Sequence, residues 1–368
     1  MSFLKIKNCL KGISVLSFML FFHVLNAQNN FTEVDNWMKD NLNEIGGRAV
    51  VLIYKDGKII YTNSLNNLSE KHKRIGELLA KRRGTEYNSN DFTPDTRLRI
   101  ASSSKWLTAA LVMTFVDEGK LNLNDSIGKY LPIFTKYGKG SIKVWHCLSH
   151  LTGIYQASLQ ESLKEINSFK YMNEAMNFLA QQPIEGEAGK TFHYGNAGLQ
   201  IAAAIIEKIS GENFEKLFAE RIAKPLQMKQ TDFGNKSFVL AAGGAFSTAN
   251  EYMNFLIMIL NKGVFKGKRI LSENSILEMQ KNRIANATIK YSPAKDKNFG
   301  YGFGEWIEKE NNNFSEVVSS PGILGSLPLV DNKRKYCAFL MTENLNYNGR
   351  QERNALLIKA INKAINQE

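Results

Sequence analysis

The chain runs to 368 residues, 43% hydrophobic, 11% aromatic and 22% charged, with a formal net charge of +12. That is the composition of a globular protein with room for about two domains, and three cysteines exclude a disulfide scaffold. The positive balance does not indicate nucleic acid: only 12 of the 47 cations are Arg, and surfaces that read bases or fork phosphates depend on its planar donors.

Lys5, Lys7 and Lys11 precede an apolar run from Ile13 to Leu25, and Asn26-Ala27 then meets Gln28. This is the pattern of a secretory signal peptide over residues 1–27, too short for a stable membrane span. Cys9 lies before the apolar run, so no lipid-modified cysteine is expected. Removal of the three lysines leaves a net charge of +9 on an exported, periplasmic or secreted chain from residue 28. Cys147 and Cys337 remain, and the sequence leaves open whether they pair.

Phe31 to Ile45 has apolar residues at helical spacing and ends in Gly46-Gly47. Ala49–Tyr54 and Lys58–Tyr61 flank Asp56-Gly57, a strong hairpin signal. Lys71 to Arg83 reads as a basic, solvated helix. Thr96–Ile100 reads as extended, followed by a helix from about Ser103 to Glu118 and a mostly helical stretch to about Leu240. A helix over 249–260, a Lys- and Gly-rich hairpin and a helix near 273–281 come next. Strands are expected over 301–307, 314–319, 326–330 and 336–342, with a closing helix over 351–365. Strands at both ends of a helical middle predict one antiparallel sheet assembled from the termini, at 28–100 and 250–368, with a helical part inserted over 101–249.

Nucleotide-binding glycine loops, the G-x-S-x-G elbow and H-E-x-x-H are absent. His146 and His150 stand four apart on an expected helix, but without acidic or thiolate partners a packing role is favoured over a metal site. No metal or cofactor is expected. The candidate nucleophile is in Ser102-Ser103-Ser104-Lys105, the one S-x-x-K that follows an extended segment and opens an apolar helix. There, positions i and i+3 share a face, and the helix start favours negative charge at Ser102 and can depress the pKa of Lys105. A serine hydroxyl needs such help to act as a nucleophile. Tyr194-Gly195-Asn196, between a turn and a small-residue helix, supplies a candidate proton-transfer group and a candidate orienting amide. In Ser319-Ser320-Pro321-Gly322-Ile323-Leu324-Gly325, glycines let backbone approach a ligand, and an exposed N–H can complete an oxyanion hole with that of Ser102.

In this order the three elements resemble the penicillin-recognising serine hydrolases: class C β-lactamases, DD-peptidases and related esterases. Leu148–Ile154, Gly243–Thr248, Tyr301–Gly304 and Val330-Asp331 also fit that family's pattern. The resemblance spans roughly Arg48 to Leu345. It implies an α/β (α+β) fold of the β-lactamase/transpeptidase-like kind, an antiparallel sheet flanked by helices with an inserted all-helical domain. It also implies that Ser102 is acylated, Lys105 is its proton partner and Tyr194 is the base. Asn196, Ser320, Gly322 and Ile323 would then contact substrate, the last through its N–H.

One departure stands out. The family's third motif opens with Lys or His, and Ser320-Pro321-Gly322 takes its place. Loss of that charge-assisted bond would cost about 1.5–3 kcal/mol in binding a substrate carboxylate. The expected activity is therefore hydrolysis of small-molecule or peptide esters and amides. Class C-type β-lactamase or D-alanyl-D-alanine carboxypeptidase activity is the alternative. A non-catalytic module binding cell-wall fragments is a third reading.

Overall fold

The computed structural model describes residues 30–83, 87, 91–157, 161, 168–234, 238–294, 297–344, 346 and 348–365. The signal-peptide expectation for residues 1–27 lies outside them. Thirteen strands are named in chain order. They are β1 Arg48–Lys55, β2 Lys58–Asn66, β3 Leu98–Arg99, β4 Thr191–His193, β5 Phe246–Ser247, β6 Val264–Phe265 and β7 Lys268–Arg269. Then follow β8 Thr288–Tyr291, β9 Gly300–Tyr301, β10 Trp306–Asn311, β11 Phe314–Ser319, β12 Leu327–Asp331 and β13 Tyr336–Thr342.

The main sheet has seven antiparallel strands in the order β2-β1-β13-β12-β11-β10-β9. Its seam joins the two ends of the chain, with Leu52 opposite Phe339 and Ile53 opposite Ala338. The β1–β2 hairpin turns on Asp56 (φ 49°) and Gly57 (φ 82°), the two positive-φ positions that a type I′ turn requires. Both faces of the sheet are covered, which is why β1 reads as a continuous apolar run. Val51 and Ile53 pack with Val34, Met38, Leu357 and Ile361 of the first and last helices. Val50 and Leu52, one residue out of phase, belong to the larger core that includes Phe255 and Leu256 of the Ala249–Leu260 helix. Trp37 Nε1 donates to the carbonyl of Arg353 at 2.9 Å, tying the terminal helices together.

The segment expected as one strand over 301–307 is broken. β9 ends at Tyr301, Gly302 N–H bonds the carbonyl of Glu305 at 3.0 Å, and β10 starts at Trp306. The cause is close approach: a Cβ on Gly304 (φ +75°) would lie 2.4 Å from the carbonyl oxygen of Lys105. The expected helical relation of His146 and His150 also fails. The helix Val144–Leu148 ends before His150, which has φ 58°. Cys147 and Cys337 are both fully buried free thiols. Among the described residues, no helix is long and apolar enough to cross a membrane.

Candidate active site

Ser102 sits on a 3-10 turn, Ala101–Ser103, that leads from β3 into the helix Ser104–Asp117. Ala101 has φ 46°, a left-handed conformation that costs a non-glycine residue about 1–2 kcal/mol. The turn is pinned from both sides. Ser104 Oγ donates to the carbonyl of Ala101 at 2.6 Å and accepts from Ala245 N–H at 3.0 Å, while Ile100 N–H bonds the Ala245 carbonyl at 3.0 Å. Ser103 and Ser104 are fully buried; Ser102 alone of the three serines is partly exposed.

Lys105 is 1% exposed. Its Nζ reaches Ser102 Oγ at 3.3 Å, Asn196 Oδ1 at 3.0 Å and the Ala242 carbonyl at 2.8 Å, one acceptor for each ammonium proton. No carboxylate is among these partners, so burial dominates and pushes the amine down to about 7. Desolvation is thus the leading cause, acting beside the helix-start position expected from sequence.

Tyr194 is held in an aromatic cage. Its ring stacks on Trp306 with centroids 5.3 Å apart and meets His150 at 4.7 Å, and Lys105 Nζ lies 5.0 Å from its centroid. Burial pushes the phenol up to about 12, opposed in part by the nearby Ser102 side chain. A phenol at that value keeps its proton at neutral pH, whereas the neighbouring amine has half released its own. The resemblance made Tyr194 the base. In the resting site the Lys105 amine, within 3.3 Å of the nucleophile and with its pKa lowered by burial, is the better placed proton acceptor, and the Tyr194 ring lies beside it.

His150 Nε2 lies 3.0 Å from Tyr301 Oη, and burial holds the imidazole well below its ordinary range, hence neutral. His146 Nδ1 accepts from the backbone N–H of Lys143 at 3.2 Å. Both histidines are packed and bonded, and no cluster of metal-ligating residues occurs among the described residues.

The third motif lies beside the nucleophile turn. Ser103 Oγ donates to the Ser320 carbonyl at 2.7 Å, and a Cβ on Gly322 would sit 2.3 Å from the Ile100 carbonyl oxygen. Ser320 itself does not offer its side chain to the cleft: it is 3% exposed and its hydroxyl donates to the Gly304 carbonyl at 2.8 Å. Ile323 is partly exposed, and its N–H has no acceptor among the described residues.

Two residues were missed from sequence. Arg350, at the start of the closing helix Arg350–Ile365, donates to the Ile323 carbonyl at 2.7 Å, to that of Asn344 at 2.8 Å and to that of Asn346 at 2.9 Å. The cation beside the third motif is thus a guanidinium from another element, committed to backbone. Glu305 follows the Gly304 contact and is fully buried, with neither carboxyl oxygen hydrogen-bonded among the described residues; burial pushes its pKa well up. Adjoining Asn196 is a cavity of about 50 Å³ walled by Tyr155, Phe169, Phe178, Leu179, Phe238 and Leu240.

The β-lactamase family profile matches residues 40–363. The chain belongs to the β-lactamase family. A putative β-lactamase from Bacteroides dorei DSM 17855 superposes with a TM-score of 0.78 at 24% identity, covering 92% of this chain and 100% of that one. EstCE1, a hydrolase with promiscuous acyltransferase activity, superposes with a TM-score of 0.70 at 18% identity, over 89% and 97% of the two chains. Among curated proteins, the teichoic acid D-alanine hydrolase of Staphylococcus aureus is 23% identical over 255 residues, covering 62% of this chain and 61% of that protein. Protein flp of S. aureus strain MW2 is 24% identical over 193 residues, 52% of this chain and 35% of that protein. The matches thus span about a third and three-fifths of these curated relatives. The β-lactamase/transpeptidase-like fold and membership of a family of serine hydrolases are established by this set.

Proposed function

We infer that the chain is an exported serine hydrolase that works through an acyl-enzyme on esters or amides whose recognition does not depend on a carboxylate. One observation carries the reading: a buried lysine brought to a pKa of about 7 lies 3.3 Å from a partly exposed serine hydroxyl. Ser102 Oγ attacks the carbonyl carbon, and its proton passes to the Lys105 amine, directly or through the Tyr194 hydroxyl. The oxyanion forms between the N–H groups of Ser102 and Ile323. Collapse expels the alcohol or amine, which takes the proton back. Water then attacks the acyl carbonyl by the same route and releases the acid.

The carboxylate-independent preference is supported by what surrounds the site. Ser320 is turned into the protein, Arg350 is occupied with three carbonyls, and the cavity beside Asn196 is lined by aromatic and aliphatic side chains with the uncharged Gln156, Gln182 and Gln200 among them. Relatives that carry out hydrolase and acyltransferase chemistry are compatible with it. Export rests on residues 1–27.

A short-chain nitrophenyl ester, a chromogenic cephalosporin and an acyl-D-Ala-D-Ala peptide, compared at equal enzyme concentration, test the reading. Ester turnover should exceed the other two. Faster cephalosporin or peptide turnover would replace it with β-lactamase or carboxypeptidase activity, and no turnover of any would favour a binding module.

A further inference from the structure

The helix Glu70–Arg83, which follows the edge strand β2, takes no part in the site. Its sequence holds six cations, Lys71, Lys73, Arg74, Lys81, Arg82 and Arg83, against two acids, Glu70 and Glu77. One side is turned inward: Ala80 is 8% exposed, and a Cβ on Gly76 would fall 2.1 Å from the ring of Tyr87. The opposite side carries Lys71, Arg74, Ile75, Leu78 and Lys81, all exposed and spaced by three, four and seven residues along one face. The two aliphatic side chains are 46% and 50% exposed. Both acids lie toward the flank, where Glu70 pairs with Lys73 at 2.8 Å and the Glu77 charge also falls on Lys73. The exposed stripe is therefore basic with an aliphatic centre, and about 15 Å long.

We propose that this stripe docks the protein, reversibly and in the plane of the interface, on a bilayer face rich in anionic phospholipid. Charge complementarity selects the sign of the partner, on a chain that keeps a net charge of +9 from residue 28 onward. The aliphatic pair selects a bilayer over a soluble polyanion: Ile75 and Leu78 stand between the cations, where they can enter the headgroup boundary while Lys71, Arg74 and Lys81 meet phosphates. Two aliphatic side chains are too few to hold the protein alone, so the attraction is led by charge and weakens with salt. The proposal does not depend on the hydrolase reading.

Co-sedimentation with phosphatidylcholine vesicles, with and without about one-third phosphatidylglycerol, tests it. Binding is expected only to the anionic vesicles. Each cation contributes about fivefold, so Lys71→Gln/Arg74→Gln/Lys81→Gln should lose on the order of a hundredfold. Ile75→Ser/Leu78→Ser should lose several-fold, and Lys71→Arg/Lys81→Arg should bind as the wild type. A control with the same charge loss elsewhere, Lys224→Gln/Lys229→Gln/Lys268→Gln, should bind nearly normally; all three lysines are exposed. The proposal is overturned by failure of the wild type to bind anionic vesicles, by an equal loss in the control, or by loss in the arginine variant. Unchanged binding by Ile75→Ser/Leu78→Ser would also overturn it, since a polyanion site needs no aliphatic contact.

Discussion

Replacing Lys105 by Met removes the amine and keeps an unbranched stem of similar length, so the variant isolates what burying that amine costs. In the folded protein the group titrates at about 7, against 10.5 when exposed. Between those values the unfolded chain binds a proton that the folded chain does not, so wild-type stability must rise with pH across the window. At pH 7 the linkage penalty is about 4 kcal/mol, and by pH 10 it has fallen to about 1 kcal/mol, because each pKa unit is worth about 1.4 kcal/mol. Losing the bonds to Asn196 Oδ1 and the Ala242 carbonyl opposes this by about 1–3 kcal/mol, but that loss is nearly independent of pH. The decisive quantity is therefore the slope of the difference. Urea unfolding of both proteins at pH 7, 8, 9 and 10 should show the wild type gaining about 3 kcal/mol on Lys105→Met. Parallel stability profiles would mean that Lys105 stays an ordinary ammonium, and the argument for it as proton acceptor would fail.

Arg350→Ala frees the turn that carries Ile323, and steady-state ester kinetics should show kcat reduced about ten- to a hundredfold with KM little changed, a fraction of the effect of deleting an oxyanion donor. Arg350→Lys keeps the charge but replaces the planar fork, whose Nη1 and Nη2 reach separate carbonyls, with a single ammonium centre, and should recover only part of the loss. The cavity of about 50 Å³ is a third of the ~150 Å³ that admits benzene. Acetyl to butyryl nitrophenyl esters should accordingly outrun the octanoyl ester by at least about tenfold in kcat/KM, with Phe178→Ala shifting the optimum to longer chains. Glu305 has a raised pKa in the fold, so it stays protonated there while the unfolded carboxyl ionises above about 4.3. Wild-type stability should thus fall relative to Glu305→Gln as pH rises from 4 to 7, and urea midpoints that differ by a constant amount would refute the assignment.

What was legible in the sequence was local. Asp56-Gly57 announced its hairpin because two positive-φ positions have few sequence solutions, and the β1 run announced a strand buried on both faces. Ser102, Lys105, Tyr194 and Asn196 were found because the first pair needs a fixed spacing and the second follows a turn into a small-residue helix; the fold brings all four together. The illegible parts depend on distant packing. The Gly302–Glu305 break exists because backbone must lie against Lys105, which no strand pattern encodes. Arg350 reaches Ile323 from 27 residues away, and its role becomes visible only once the last helix meets the third motif. The low pKa of Lys105 follows from burial by elements far from it in sequence, so reading the motif identified the residue but not what sets its proton affinity.

Covalent labelling tests the central claim most directly. A fluorophosphonate probe followed by peptide mass mapping should place one adduct on Ser102, abolished in Ser102→Ala and strongly slowed in Lys105→Met. Absence of labelling in the folded wild type, or an adduct that persists in Ser102→Ala, would contradict an acyl-enzyme mechanism at this serine.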